Sequence, residues 1–254
     1  MIIKSKVIAM MTIPFTVSLA ATDEVVIIEA FEIVINPIRQ RLAQIEKAYS
    51  AFRDDSLVRR YQNGDDQVLI ANLEFQQIFA ATTEAQRQTA GYFDPRFNGQ
   101  YDPTGYVKGW AIETIFKNYL VPLLDDPRIT AVCLNGGGDL QVASRSDRDF
   151  SWQIGVEDPQ NLQVLIGAYA LANGAMATSG TSKRGQHIKV AGAQDLLQVT
   201  IIDRDLTQAD IWATAGIAAG WDNFQPLIKQ HCLSGMAVTK SQVIEFDRGV
   251  MTDA

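Results

Sequence analysis

Histidine and cysteine are scarce in this chain of 254 residues, with two of each. Cys133 and Cys232 are too few for a disulfide framework, and neither stands in a Cys-x-x-Cys or Cys/His zinc spacing. Both are expected to be reduced, buried and small-hydrophobe-like. Basic charge is also short, with 22 Lys and Arg against 29 Asp and Glu and a net charge of −7. Duplex binding needs a basic face that releases counterions, so no nucleic-acid partner is expected. The same deficit sets a condition on phosphate ligands. Local backbone N–H groups, a few placed cations or a divalent metal would have to hold them. No apolar run reaches the roughly 18 residues of a membrane span, and no linker, low-complexity tract or repeat interrupts the chain. What remains is ordinary: 47% hydrophobic and 20% charged residues. That suffices for a sizeable core in a single domain over 1–254, with two intimately packed lobes as the alternative.

Near the N-terminus, Lys4 and Lys6 precede an apolar run, and Ser18-Leu19-Ala20 resembles a small-residue cleavage site. Thr12, Pro14, Thr16 and Ser18 interrupt that run, and the alternation from Phe15 to Ala20 predicts a half-buried strand instead. The strand reading goes with a cytoplasmic protein and the signal reading with an exported one. No lipobox cysteine occurs here, and oligomeric state leaves no trace.

Residues 24–35 are rich in β-branched side chains and fit a strand or a helix. Asn36-Pro37 looks like a helix start, with apolar residues recurring from Ile38 to Tyr49. Asp54-Asp55-Ser56 reads as a loop, and a second helix is expected from Asp66 to Thr89. Two Asp-Pro pairs and three glycines between Gly91 and Gly105 demand turns, after which Lys108 to Leu120 reads as a helix. Strands are expected at 129–134, 140–143, 152–156, 162–170, 196–202, 236–238 and 243–246. A small-residue helix capped by Thr207 runs to Ala219. Strands mixed with long helices, without regular βαβ alternation, indicate an α+β fold.

Three segments hold candidate chemistry. Asn135-Gly136-Gly137-Gly138-Asp139, between two strands, could form an anion-binding concavity or simply a tight connection. Ala175 to Ile188 sets small hydroxyl residues beside Lys183, Arg184 and His187. A neutral imidazole there could act as a base, or the segment could be a plain polar loop. His231, beside Cys232, reads as structural. In the third, Asp210 and Thr214 lie four apart on a helix and so share a face. Carboxylate and hydroxyl oxygens suit Mg²⁺, although an Asp in a first helical turn is also favoured by the helix dipole.

Taken in order, these and other motifs resemble the ApbE-type flavin transferases (FAD:protein FMN transferases), in a short form. Met10-Met11-Thr12 is similar to the family's Met-Gly-Thr, with Met11 in place of glycine. Phe52 to Tyr61 resembles its aromatic loop followed by Asp-Ser-x-Leu-x-Arg. Gly91-Tyr92-Phe93-Asp94 resembles the Gly-x-Phe-Asp turn, and Asp102 to Ala111 the Asp-x-x-x-x-x-Lys-Gly-x-Ala signature. The glycine turn at 135–139, Trp152 to Val156, Ala177-Thr178-Ser179-Gly180, His187-Ile188 and the Ala209-Asp210…Thr214 helix complete the series. The chain departs from the family after His187, where Lys189-Val190-Ala191 replaces a further apolar residue and Asp-Pro-x-Thr-Gly. It also keeps only seven residues between Asp94 and Asp102, and has Ala213 where some relatives carry a second acid.

The resemblance implies mixed helices and largely antiparallel sheets in an ApbE-like, T-fold-related architecture. It implies an FAD site lined by Met10, Phe52, Tyr92, Phe93, Asp94, Asp102 and Lys108, with backbone near Lys189 closing it. Mg²⁺ would be held by Asp210, Thr214 and the carbonyl of Gly105, and His187 would be the general base. The implied reaction moves FMN from FAD to a Ser or Thr hydroxyl of an acceptor flavoprotein and releases AMP. FAD hydrolysis to FMN and AMP, or non-catalytic FAD binding, are the alternatives.

Overall fold

A computed structural model describes residues 1–180 and 195–253. The chain opens with a hairpin of β1 (Ile2–Met10) and β2 (Ile13–Ala21). Four helices follow: α1 (Glu24–Tyr49), α2 (Leu57–Gln62), α3 (Gln67–Ala71) and α4 (Leu73–Gln88). After the turn-rich segment comes α5 (Thr104–Ile115), which continues through a π-helical turn at Phe116–Leu120 and a 3₁₀ turn at Val121–Asp125. Next are β3 (Ile129–Gly136), β4 (Asp139–Ser144), β5 (Trp152–Asp158), β6 (Asn161–Leu171), β7 (Gly174–Gly180) and β8 (Leu196–Asp203). Helices α6 (Leu206–Ala219) and α7 (Trp221–Gln230) precede β9 (Ser234–Thr239), β10 (Val243–Asp247) and β11 (Val250–Asp253).

Nine strands form one sheet in the order β1-β2-β3-β4-β7-β8-β9-β10-β11, while β5 and β6 form a separate ribbon. Every described pairing is antiparallel, and the class is α+β. The helices cover one face of the sheet over a core that includes Phe15, Leu19, Ile38, Ile112, Ile201 and Phe224. The ribbon packs through Val156 on a second cluster with Cys133, Leu140, Met176 and Met236. This separate cover leaves room for a cleft between the ribbon and the helix ends.

Several expected boundaries move. Helix α1 does not begin at Asn36-Pro37 but at Glu24, capped by the Asp23 carboxylate, which accepts from Val25 N at 2.9 Å. Val26, Ile27, Ala30, Phe31 and Val34 continue the buried stripe of Ile38, Leu42, Ile45 and Tyr49 across the proline. Burial of that stripe outweighs the ~3 kcal/mol that an interior proline costs. The single helix expected over 66–89 is broken at Asn72, whose side chain caps the second piece by accepting from Phe75 N at 2.8 Å. The last expected cap, Thr207, lies inside α6, whose N-cap is Asp205. Thr207 instead donates its N–H and hydroxyl to Glu113. Cys133 is buried as expected, whereas Cys232 is exposed, in a turn with φ of 49°.

Candidate active site

The site begins with a close approach of two helices. A Cβ on Gly109 of α5 would lie 3.0 Å from the Asp210 side chain and 3.3 Å from Thr207 Cα of α6. Only glycine lets the helices touch this closely, and the contact brings Lys108 beside Asp210. Lys108, buried at 9% exposure, pairs with Asp210 Oδ1 at 3.1 Å and with Asp139 Oδ2. Asp139 and Asp210 are each only 2% exposed. A buried lysine between two carboxylates is held firmly, because stripping one partner from such a cluster typically costs about 3–5 kcal/mol.

Asp139 is placed by the hairpin between β3 and β4. Gly137 and Gly138 both have positive φ, 67° and 107°, as the tight two-residue turn requires. The Asn135 side chain accepts from Gly138 N at 3.0 Å. Pairing of β4 with β7 runs only from Val142 to Leu140, and beyond it the Asp139 side chain takes over by accepting from Thr178 N at 2.9 Å. Thr178 shares a hydroxyl hydrogen bond with Thr200 at 2.9 Å, and Ser179 one with Thr214 at 3.3 Å.

Of these groups, Lys108, Asp210, Asn135, Thr178, Ser179 and Thr214 border a cleft of roughly 1880 Å³. On α6, Asp210, Thr214, Ile217 and Ala218 line it, at the spacing of one helical face. On α5, Thr104, Gly105 and Lys108 do so from the first turns. The Asp102 carboxylate also borders the cleft and accepts from Thr104 N at 3.0 Å, fixing the start of α5. Asp94 accepts from Arg96 N at 2.8 Å and from Gln86 Nε2 at 2.9 Å, so its carboxylate shapes the turn it stands in. Before it, α4 ends in a Schellman motif, with Gly91 N bonded to Gln86 O at 2.8 Å. That ending turns Tyr92 and Phe93 to the cleft, Phe93 buried and Tyr92 half-buried. Phe52 lines the cleft from the loop before α2 and is 93% exposed.

Met10, the last residue of β1, packs against the main core and is not among the described lining residues. Its neighbours Met11 and Thr12, which form the hairpin turn, are. His187 and Lys189 lie outside the described residues. Cys133 also borders the cleft, but burial pushes its thiol up to about 12. It stays protonated at neutral pH and is no nucleophile there.

A model of the ApbE family matches residues 96–238, more than half of the chain. This chain belongs to the ApbE family. A search of curated proteins returned no match. Among solved structures, the ApbE protein of Thermotoga maritima superposes with a TM-score of 0.76 at 16% identity, over 100% of this chain and 97% of that one. The apo form of the flavinyl transferase ApbE of Pseudomonas stutzeri gives 0.72 at 16%, over 100% and 95%. The flavin transferase ApbE of Vibrio cholerae gives 0.66 at 13%, over 97% of each chain. At such identities the likeness is one of fold.

In this ApbE chain the oxygen donors suit a hard cation. Asp210, Thr214 and Gly105 border the same cleft, and Ser179 adds a hydroxyl next to Thr214. No group of three His, Cys, Asp or Glu side chains gathers for a metal among the described residues. A site here would therefore need ligand oxygens or water to complete it, as Mg²⁺ sites commonly do. Asp139 and Ser179 belong to the cluster although neither was expected as a site residue. The signal for Asp139 was a carboxylate placed between a glycine turn and an apolar strand, where burial demands a partner.

Proposed function

We propose that this protein moves the FMN half of FAD onto a Ser or Thr hydroxyl of an acceptor flavoprotein, with Mg²⁺, and releases AMP. The observation behind this reading is that Lys108, Asp210 and Thr214, from two helices far apart in sequence, meet on one wall of a cleft. At roughly 1880 Å³, that cleft exceeds the ~300–1,000 Å³ of ordinary ligand pockets. It leaves room for a dinucleotide and for an incoming acceptor segment. Family membership, and the flavin transferase names of the similar structures, point the same way.

In this reading the exposed Phe52 ring and Tyr92 stack on the aromatic parts of the dinucleotide, and Phe93 lines the cleft with them. Asp94 and Asp102 hold the turn and the start of α5 that frame it. Lys108 offers its ammonium to the diphosphate. Asp210, Thr214 and the Gly105 carbonyl would hold Mg²⁺, which offsets the charge growing on the phosphate oxygens. His187 takes the proton from the acceptor hydroxyl, a poor nucleophile on its own. The acceptor oxygen bonds to the FMN-side phosphorus, and the bond to the AMP oxygen breaks. Two unpaired cysteines suit a reducing compartment, which makes the cytoplasm the proposed location.

The test mixes the protein with FAD, Mg²⁺ and an acceptor domain, then measures flavin fluorescence on the denatured acceptor together with free AMP. Labelled acceptor with an equal amount of AMP supports transfer. AMP with free FMN would make the protein a pyrophosphatase, and intact bound FAD with no AMP would make it a flavin-binding protein. His187→Ala should still bind FAD and release no AMP. Unchanged turnover would remove His187 from the mechanism.

A further inference from the structure

Lys108 stands where a metal ion would need to be received. Its ammonium is 3.1 Å from Asp210 Oδ1, on the carboxylate proposed above as a metal ligand. A dication arriving at Asp210 therefore meets a positive charge already seated there. Lys108 also pairs with Asp139, which is not among the described residues lining the cleft. Asp139 is itself immobilised, because its other oxygen accepts from Thr178 N at 2.9 Å where the β4–β7 ladder ends. The lysine stem is flexible and its ammonium is a compact charge, so a small shift exchanges one carboxylate for the other.

We propose that Lys108 serves as a built-in cation at Asp210 that a divalent ion displaces, and that Asp139 is the positioning residue that receives Lys108. This inference rests on the metal reading given above. It explains why a cleft proposed to take a metal keeps a lysine against the carboxylate that would hold it. With no ion present, the ammonium neutralises two buried acids that would otherwise repel each other. With the ion bound, Lys108 is retained by Asp139 and stays beside the diphosphate, instead of being expelled toward solvent.

The test is Mn²⁺ binding to the whole protein without flavin, read from the EPR signal of free Mn²⁺ and so independent of turnover. Four proteins are compared: wild type, Lys108→Met, Asp139→Asn and the double variant. Lys108→Met should bind Mn²⁺ roughly tenfold tighter or more, since a unit charge a few ångströms from a dication is felt even at the dielectric of water. Asp139→Asn should bind more weakly, because Lys108 is then left with Asp210. That loss should vanish once Lys108 is also replaced, as a double-mutant cycle requires of residues that act through one another. A merely structural role would weaken all the variants.

Lys108→Met leaves two buried acids together, so thermal unfolding is followed with and without Mn²⁺. The variant should melt lower without the ion and gain more from it than wild type does. If it does not fold without the ion, Asp139→Asn compared with the double variant, which keeps a single buried acid, gives the same contrast. Equal or weaker binding in Lys108→Met overturns the proposal. So does an Asp139→Asn loss that is the same in both backgrounds, which would mean that Asp139 acts by its own charge on the ion. If Mn²⁺ binds to none of the four, the metal reading itself falls. If wild type binds and Lys108→Met binds no tighter, only the displacement by Lys108 falls.

Discussion

Replacing Gly109 by alanine and, separately, Gly105 by alanine makes the same chemical change twice on one helix, one turn apart. At Gly109 the new Cβ would lie 3.0 Å from Asp210 Cβ and Oδ2 and 3.3 Å from Thr207 Cα. The Asp210 side chain cannot simply swing away, because the Thr207 contact is backbone. Helix α6 must retreat from α5 by a few tenths of an ångström to restore ordinary contact. Overpacking of this kind costs about 1–3 kcal/mol, and the gain from removing a helical glycine returns about 1 kcal/mol. The expected net loss of stability is therefore small, about 0–2 kcal/mol. The site should suffer more, since the retreat draws Asp210 and Thr214 away from the Gly105 carbonyl, and a small divalent ion demands near-ideal placement of its oxygens. At Gly105 the Cβ meets only the Phe93 ring, at 3.6 Å, an ordinary contact. Alanine also keeps the carbonyl proposed as a metal ligand. Urea unfolding and Mn²⁺ binding are measured on both variants. Gly105→Ala should match or exceed wild type in stability and hold Mn²⁺ within about twofold, a change of less than 1 kcal/mol. Gly109→Ala should lose Mn²⁺ affinity by roughly tenfold, about 1.4 kcal/mol, while still folding. Equal metal binding by the two variants would refute the claim that the α5–α6 contact sets the site.

His231 lies against Trp212, with ring centroids 4.5 Å apart, and burial holds its pKa below the ordinary 6.5. The unfolded chain then binds the proton more readily, so the stability this residue contributes is present above pH 6.5 and declines as the pH falls below it. Melting curves at pH 8 and 5.5 should show a larger acid loss for wild type than for His231→Gln, and an equal loss would discard this account. Gly235→Ala should abolish folding. Its Cβ would sit 2.0 Å from the Thr200 carbonyl oxygen, at a φ of 151° that side chains rarely adopt, and a cost above about 4 kcal/mol is expected from such a collision. Circular dichroism of any recovered protein checks this. A thiol reagent should titrate one cysteine, Cys232, in the folded protein and Cys133 only after denaturation. Two rapid equivalents in native buffer would contradict the buried position of Cys133.

Where periodicity was strong, the sequence was a sufficient guide. The strands at 129–134, 152–156 and 196–202 and the small-residue helix before Ala219 all occur, because alternation and small-residue packing are local signals. Helix α1 was misjudged at its start because Asn36-Pro37 has the local chemistry of a helix N-terminus. The decision is made by Val26 to Val34, whose burial is a property of the sheet they meet and not of the segment. Helix α7 escaped notice for the related reason that Gly220, at φ of 72°, separates it from α6 by a single residue. Asp210 and Thr214 could be paired by spacing alone, since four residues make a helical turn. Nothing local could place Asp139 with them. That contact depends on how β4 leaves the β7 ladder and on how closely Gly109 lets two helices approach.

The charges around the cleft explain why a metal would be needed. Glu46, Asp94, Asp102, Glu157 and Asp210 border it among the described residues, against Arg96, Lys108 and Lys240. The acids outnumber the bases, and Lys108, the buried base, is committed to two carboxylates. On these described walls a diphosphate would meet more acid than base, and the protein's overall charge of −7 offers no relief at long range. A divalent ion at Asp210 changes the sign where it matters. It also frees Lys108 from a carboxylate, so that one binding event supplies the ligand with both the ion's charge and a share of the lysine's. If this is the logic of the site, dinucleotide and metal bind cooperatively, each raising the other's affinity by the same factor. Isothermal titrations with FAD in the presence of Mg²⁺ and of EDTA would show it. Equal FAD affinity in the two would mean that the binding energy comes from the aromatic wall around Phe52 and Tyr92, and that the diphosphate is held by other means.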